Sequence, residues 1–417
     1  MPRAVRLTLI IVTATLLVWL ASLNVRLYRP GRVDAAVAQL RFLKQSLDQG
    51  GAESMQALFP EGYVFTWALY GLAGAQVARA LSPSKARDEA LGAARAAVEQ
   101  VDSDRARATF APDMEPSYGA FYSSWSLYLR SCLLRASGTT ATPPFDLKRF
   151  IRDCDEFALA LSGSESPYLR SYPGFVWPAD TAPGVAALAI VDSYSDGRYQ
   201  PVIARWVTAV RERLDREYGA MPHSADAHMG VAREGPRGES LALMSLILVD
   251  VDSSLARQQY EILRRNFVDH RWGVPGVREY PHGVAGHGDV DSGPIVLGFS
   301  GPAIVVGAGA AIAHGDEDVA TALLATAELA GIPIEFAGRR CYALGILPVG
   351  DAFLAWARSA TPVAQRPRYA ALIPWWWRLP IHALSLLLAA SAWGFARRVG
   401  RRQPSSSLAR TTANTRS

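Results

Sequence analysis

The sequence predicts an all-α protein, an (α/α)6 toroid of six helical hairpins flanked by an N-terminal and a C-terminal transmembrane helix. Three observations predict it. The region from about residue 30 to 360 reads as helices, with strand-like alternation scarce and short. Long and short loops alternate along it. Helices of odd and even rank differ in how much of their circumference is apolar.

Twelve helices are expected over this region, at about 34–49, 62–80, 84–101, 117–136, 145–162, 181–194, 199–217, 238–249, 254–268, 293–313, 317–330 and 343–358. Taken in pairs, they enclose long loops at 50–61, 102–116, 163–180, 218–237, 269–292 and 331–342. The loops between pairs are short: 81–83, 137–144, 195–198, 250–253 and 314–316. In an up-down array, alternate loops lie at the same end, so the long loops share one face. The first helix of a pair is amphipathic and charged, as in VDAAVAQLRFLKQSLD, PVIARWVTAVRERLDREY and SSLARQQYEILRRNF. The second is apolar nearly all round, as in YVFTWALYGLAGAQVA, APGVAALAIVDSY, ESLALMSLILV and PIVLGFSGPAIVVGAGAAIA. A helix with one wet face lies outside and one apolar all round lies inside, which closes the array into a ring. Gly298, Gly301, Gly307, Gly309, Ala308 and Ala310 permit close approach near its axis. An open solenoid, the alternative, leaves more apolar inner surface to cover.

The flanks read as membrane helices. Residues 7–23 and 379–396 carry no formal charge, and each is near the minimum length for a bilayer core. Trp375, Trp376 and Trp377 precede the second span, where an interfacial aromatic belt belongs. No A-x-A site follows the first, which favours an uncleaved anchor over a signal peptide. The net charge of +5 collects in the tail 397–417, with six arginines and no acid. That is a topology signal, and it points away from nucleic-acid binding. It places the tail and residues 1–6 in the cytoplasm, and the main domain, 30–360, on the periplasmic or extracellular side of a bacterial-type inner membrane. Arg26, Arg29 and Arg32 oppose this at the first span, so the orientation rests on the tail. Of three cysteines, Cys132 and Cys154 fall on consecutive helices and are the candidate pair, and Cys341 is left over.

The hairpin rhythm over about 34–360 resembles the α/α-toroid group, which includes six-hairpin glycosidases, polysaccharide lyases, terpene-cyclase-like toroids and linalool dehydratase/isomerase-like proteins. The stretches YPGFVWPADTAP (172–183) and GDVDSGPIVLGFSGPA (288–303) look most like the dehydratase-like branch. The resemblance is one of architecture, and fold-level likeness alone does not give function. Members of that branch place cysteines in the active site, whereas the loops at 163–180, 218–237 and 269–292 hold none, so no catalytic residue is carried over.

Inner helices of such a ring begin at the long-loop end, where free N–H groups and positive dipole ends point into one mouth. The third long loop carries Tyr168, Tyr172, Phe175 and Trp177 and ends on Asp180. These rings either stack on a ligand or pack the loop down. The fourth carries His223, Asp226, His228, Arg233, Glu234 and Arg237, with Glu239 in the first helical turn. The fifth carries Trp272, Arg278, Glu279, Tyr280, His282, His287, Asp289 and Asp291. Asp180-Thr181-Ala182-Pro183 and Asp291-Ser292-Gly293-Pro294 share a D-[TS]-x-P pattern that reads as a helix start, making these aspartates either N-caps or functional acids. Asp289 has no capping explanation. The histidines and aspartates match no metal-site spacing, so neither a metal nor a cofactor is expected. GxSxG, P-loop and dinucleotide signatures are absent.

Three readings follow. One is an enzyme cleaving a glycan by hydrolysis or elimination, with Asp289 and Glu239 as acid and base and Asp180 third; elimination would put His287, Tyr280 and Arg237 first. Another is a dehydratase or isomerase of an apolar alcohol using Asp289, His287 and Asp180. The last is a non-catalytic envelope scaffold or ligand-binding protein. Trp177, Arg237, Tyr280, Trp272, His223 and Asp291 are the expected contacts to a small-molecule or glycan substrate.

Overall fold

The computed structural model describes residues 3–138, 145–364 and 367–401; residues 402–417 of the basic tail lie outside the described residues. Among the described residues all twelve expected helices are present. They are α2 (Val33–Asp48), α4 (Gly62–Ala80), α5 (Lys85–Val101), α7 (Gly119–Ser137), α8 (Leu147–Gly163), α9 (Pro178–Asp192), α10 (Gln200–Glu212), α11 (Gly238–Ile247), α12 (Ser253–Asn266), α13 (Gly301–His314), α14 (Glu317–Gly331) and α15 (Pro348–Arg358). Short helices α3 (Gly51–Gln56) and α6 (Asp104–Arg107) fill the first two long loops, and α1 (Arg3–Arg26) and α16 (Leu379–Arg401) flank the domain.

The parity of the sequence is a parity of burial. Helices α4, α7, α9, α11 and α13 are enclosed on most sides, whereas α8, α10 and α12 bury one stripe, such as Phe150, Cys154, Phe157 and Leu161 on α8. The enclosed helices pack in cyclic order: α4 on α7, α7 on α9, α9 on α11, α11 on α13, α13 on α15, and α15 back on α4. Gly309 shows why small residues line this packing, since a Cβ there would stand 3.0 Å from the Ala357 backbone of α15.

Side-chain caps are commoner on the short-loop side, although α10 lacks one there and α13 has one on the long-loop side. On the short-loop side, the side chains of Ser84, Asp146, Asp252 and Asp316 accept the N–H groups that open α5, α8, α12 and α14. On the long-loop side, α4, α7, α9, α11 and α15 begin with no side-chain cap. Backbone carbonyls take some of their first-turn donors instead: Gly238 N of α11 donates to Glu279 O and Ala120 N of α7 to Arg170 O.

Two expected starts are corrected. Helix α9 opens at Pro178, with Trp177 at the N-cap position and Asp180 inside the first turn. Proline at the first helical position sacrifices no bond, so Pro178 rather than Thr181 sets the start. Helix α13 opens at Gly301, capped by the Ser300 hydroxyl, which accepts from Ala303 N. Neither Asp180 nor Asp291 is an N-cap, and Gly298 lies before α13 at φ +87°. Three hairpins also occupy the long loops: Ser224–Ala225 with Ala232–Glu234, Val268–Arg271 with Val274–Val277, and Ile334–Phe336 with Arg339–Cys341. The last two turn on Trp272-Gly273 and Ala337-Gly338, with both turn residues at positive φ, the tight-hairpin conformation. The three cysteines are free thiols, with Cys132 and Cys154 buried.

The terminal helices carry stretches at Arg6–Arg26 and Leu379–Arg398 that are long and apolar enough to cross a membrane, and only 17% and 11% of their apolar windows are buried. That exposure separates them from core helices of similar composition. They pack on each other, with Asn24, Tyr28 and His382 hydrogen-bonded together. Leu27, Trp377 and Ile381 bury themselves against Ala322 and Ala325 of α14.

Candidate functional site

Glycine decides how the site is assembled. A Cβ on Gly238 would lie 1.9 Å from the Arg278 carbonyl oxygen, so only glycine lets α11 start against the Arg278–Glu279 backbone. Gly238 N donates to Glu279 O at 2.8 Å. This contact sets Arg237 and Glu239, on the fourth long loop, beside the fifth.

Arg237 is the hub. It is 3% exposed; its Nε donates to Glu279 Oε1 at 2.7 Å and its Nη1 to Asp289 Oδ2 at 2.5 Å. Its Nη2 is buried and makes no hydrogen bond. The Tyr280 ring lies over the guanidinium at 5.5 Å, and the Tyr280 hydroxyl donates to the backbone carbonyl of His287. Asp289 is fully engaged, since Oδ1 also accepts from the N–H groups of Asp291 and Ser292. Partial burial works against its charge, but Arg237 and the Ser292 donors hold its carboxyl well below the usual carboxylate range. A carboxylate so stabilised is a weak base, and its geometry is that of a loop-organising group. Glu279 is fully buried, and burial outweighs Arg237 to push it up to about 7.

His223 sits at 5% exposure between Arg237 and α11. Its Nε2 is 3.4 Å from Arg237 Nη1, a group that only donates, so this nitrogen carries the lone pair and Nδ1 carries the proton. Nδ1 faces Ser240 Oγ at 3.1 Å and Glu239 Oε1 at 3.5 Å. Burial and then the neighbouring Arg237 lower His223 to about 4, which leaves it neutral at pH 7.

Beyond His223 lies a group of carboxyls with few cations. His223, Glu239 and Asp291 each place a ligand-type atom within 4.8 Å of the others. Burial, then the charges of Asp291 and Glu279, raise Glu239 well above the usual range. Asp291 is raised too, first by burial and then by Asp289; its surface is open to solvent, so it is not packed into the core. Asp180, in the first turn of α9, is pushed up to about 7 by burial, with Asp291 and Glu61 adding to it and a hydrogen bond with Ser171 opposing it. A helix N-terminus favours a charged carboxylate; at Asp180 and Glu239 burial and like charge outweigh that preference. The same spacing of His223, Glu239 and Asp291 would admit a cation, although the Arg237 guanidinium against the far side of His223 opposes one.

Aromatic rings border the carboxyls. Trp177 stacks flat on Phe175 at 5.2 Å and meets Tyr172 edge-on at 5.6 Å. Tyr172 also feels the charges of Asp180 and Glu61.

The structure thus brings together Asp180, Glu239, Asp291, His223, Arg237 and Asp289, with Tyr280 and Trp177 at the edges. His287 is exposed, and it meets the site through its backbone carbonyl. Trp272 lies elsewhere: it tips the 268–277 hairpin, whose Gly273 packs against Trp376 and Pro380, so it does not join the carboxyl group. Glu61 and Glu279 are members that the sequence does not single out as site residues. Glu61, at the N-cap position of α4, joins from a loop more than a hundred positions away. Its one sequence signal is its place at the end of a long loop, which it shares with Asp180. No protein-family model matches the chain, and no curated protein sequence matches it either.

Proposed function

We propose that this protein is a membrane-anchored enzyme with an α/α-toroid domain, which breaks a C–O bond of a glycan by carboxylate acid/base chemistry. The observation that carries the reading is the Glu239–Asp291 pair, two carboxyls from different long loops within 4.8 Å, with Glu239 favouring its protonated form. Such a pair holds one proton between its members, because like charges this close do not ionise together readily. Glu239 then donates its proton to the leaving oxygen, and Asp291 attacks the anomeric carbon or takes a proton from water. The short gap is nearer the ~5–5.5 Å of a nucleophile–acid pair than the ~6.5–9.5 Å that accommodates an intervening water. Asp180 is a second proton carrier at the rim. Trp177, with Phe175 stacked on one face of its ring, offers its other face to a sugar. Asp291 replaces Asp289 in the role of base, because both oxygens of Asp289 are occupied.

The toroid reading is supported by the cyclic packing of α4, α7, α9, α11, α13 and α15. A two-pass topology with cytoplasmic termini and an extracytoplasmic domain is supported by the two exposed apolar helices and by the arginine-rich tail. Arg26, whose charge opposes it in the sequence, is engaged by Glu328 and Glu335 of the domain.

The test is glycan cleavage by the full-length protein in detergent. Glu239→Gln and Asp291→Asn should each lower kcat by about 10²–10⁴-fold with helical content unchanged. Wild-type turnover in both variants rejects the pair. The exposed apolar rim, including Phe175, Val290 and Leu297, favours a second reading, dehydration of an apolar alcohol by the same two carboxyls. Turnover of terpenoid alcohols but not glycans would select it.

A further inference from the structure

The large apolar side chains that the domain leaves exposed gather at one end. Phe175 lies on the third long loop, Val231 on the fourth, Trp272 and Val290 on the fifth, which runs on to α13 at Gly301, and Phe336 and Ile346 on the sixth, which runs on to α15 at Pro348. Away from the long loops and the terminal segments, the described residues of this kind are Leu147, Leu159 and Tyr194. An apolar surface collected on one face marks an interaction site.

Both terminal helices leave the domain from that same end. Helix α1 finishes with Arg26 paired to Glu328, in the last turn of α14, and to Glu335 on the sixth long loop. The chain then runs back along α14, until Arg32 meets Glu317 at the opposite end of that helix. The C-terminal segment makes the reverse journey. Val363 N bonds Ala313 O near the end of α13, Ala370 O accepts from Arg264 in the last turn of α12, and Trp376 reaches His270 on the fifth long loop. Helix α16 starts there. The chain therefore enters and leaves beside the long loops.

The 268–277 hairpin reinforces the point. Trp272 stands at φ +50°, a conformation that a bulky side chain rarely adopts, and is 82% exposed. Its neighbour Gly273 rests on Trp376, and Trp375 is 83% exposed. Strain that displays a tryptophan outside the fold, next to two more at the head of an apolar helix, matches the amphipathic belt of a membrane interface.

We propose that the long-loop face lies against the bilayer, with Trp272, Trp375 and Trp376 at head-group level and the apolar loop residues dipping toward the acyl chains. This rests on the terminal helices being membrane spans. Joined to the acid/base reading, it makes the substrate the head group of a membrane-resident, lipid-linked glycan, because the mouth opens onto the membrane surface.

The experiment places the full chain, in a Cys341→Ser background, in phosphatidylcholine nanodiscs with or without acyl-brominated lipid. Phe175→Cys, Val231→Cys and Val290→Cys carry a fluorophore; Leu147→Cys and Tyr194→Cys, near the short loops, are controls. Brominated lipid should remove about half the emission at the three long-loop sites, as expected for groups about 5–10 Å into the interface, and leave the controls unchanged. Aqueous iodide should do the reverse. Iodide access at the long-loop sites without lipid quenching overturns the proposal, and so does protection from both quenchers, which would mean a protein partner or a second copy covers the face. Trp272→Phe gives a label-free check, since it should lower the lipid-quenched share of intrinsic tryptophan emission; an unchanged share counts against the proposal. None of these readouts involves turnover, so they fail or succeed separately from the Glu239 and Asp291 variants.

Discussion

Replacing Asp180 with asparagine removes one titrating proton and changes almost no volume. In the folded protein, burial raises this carboxyl from 3.8 to about 7, with Asp291 and Glu61 contributing and Ser171 opposing. The folded-state value lies above the unfolded one, so the native state holds the proton more tightly. The resulting stabilisation is complete below the unfolded value and is lost as pH rises through about 7. At about 1.4 kcal/mol per pH unit the full rise corresponds to roughly 4 kcal/mol. Asp180 keeps part of its surface open to solvent, and solvent screening reduces this to roughly 2–4 kcal/mol. Asparagine carries no such dependence. Chemical denaturation of the full chain in detergent should therefore show Asp180→Asn gaining on wild type by roughly 2–4 kcal/mol between about pH 4 and about pH 8. A stability difference that stays flat across that range would mean Asp180 ionises normally, and the account of the carboxylate group as proton-holding would fail.

The buried Glu328 accepts from Arg340, Arg358 and Tyr342 and pairs with Arg26, so Glu328→Ala strands several guanidinium groups and should lower unfolding stability by about 3–5 kcal/mol; a loss under about 1 kcal/mol in the same denaturation assay would contradict the pairing. Gly238→Ala forces a methyl to within 1.9 Å of the Arg278 carbonyl, and should lower stability by about 1–3 kcal/mol while displacing Glu239 and reducing turnover. Normal stability and turnover in that variant would show that α11 does not need its close start.

The helices are legible in the sequence because the apolar period of a helix is written within a few turns of chain. YVFTWALYGLAGAQVA is apolar all round in sequence, and Gly62–Ala80 is enclosed in the fold for that reason. Helix starts are less legible. The D-[TS]-x-P pattern at Asp180 and Asp291 competes with Pro178 and with Ser300-Gly301-Pro302, and only packing chooses between them. Half of the candidate site follows from the loop rhythm, which puts Asp180, Arg237, Glu239 and Asp291 at one end. The roles do not follow. Asp289 reads as the free acid because it caps nothing, yet Arg237 and two backbone donors occupy it. Trp272 resembles a ligand contact because it stands on a long loop, yet the hairpin beneath it carries it to Trp376.

Local pattern alone determined the twelve long helices of the domain, their alternating burial and the two apolar flanks, since each depends on residues a few positions apart. The tertiary structure decided which carboxyls are buried beside one another and from which end the terminal helices leave. A carboxyl's proton affinity is set by burial and by charges such as Glu61 and Asp291, which approach Asp180 from loops over a hundred positions away on either side. The end from which α1 and α16 emerge is set by where Arg26 and Trp376 dock, and no local pattern in the sequence encodes that.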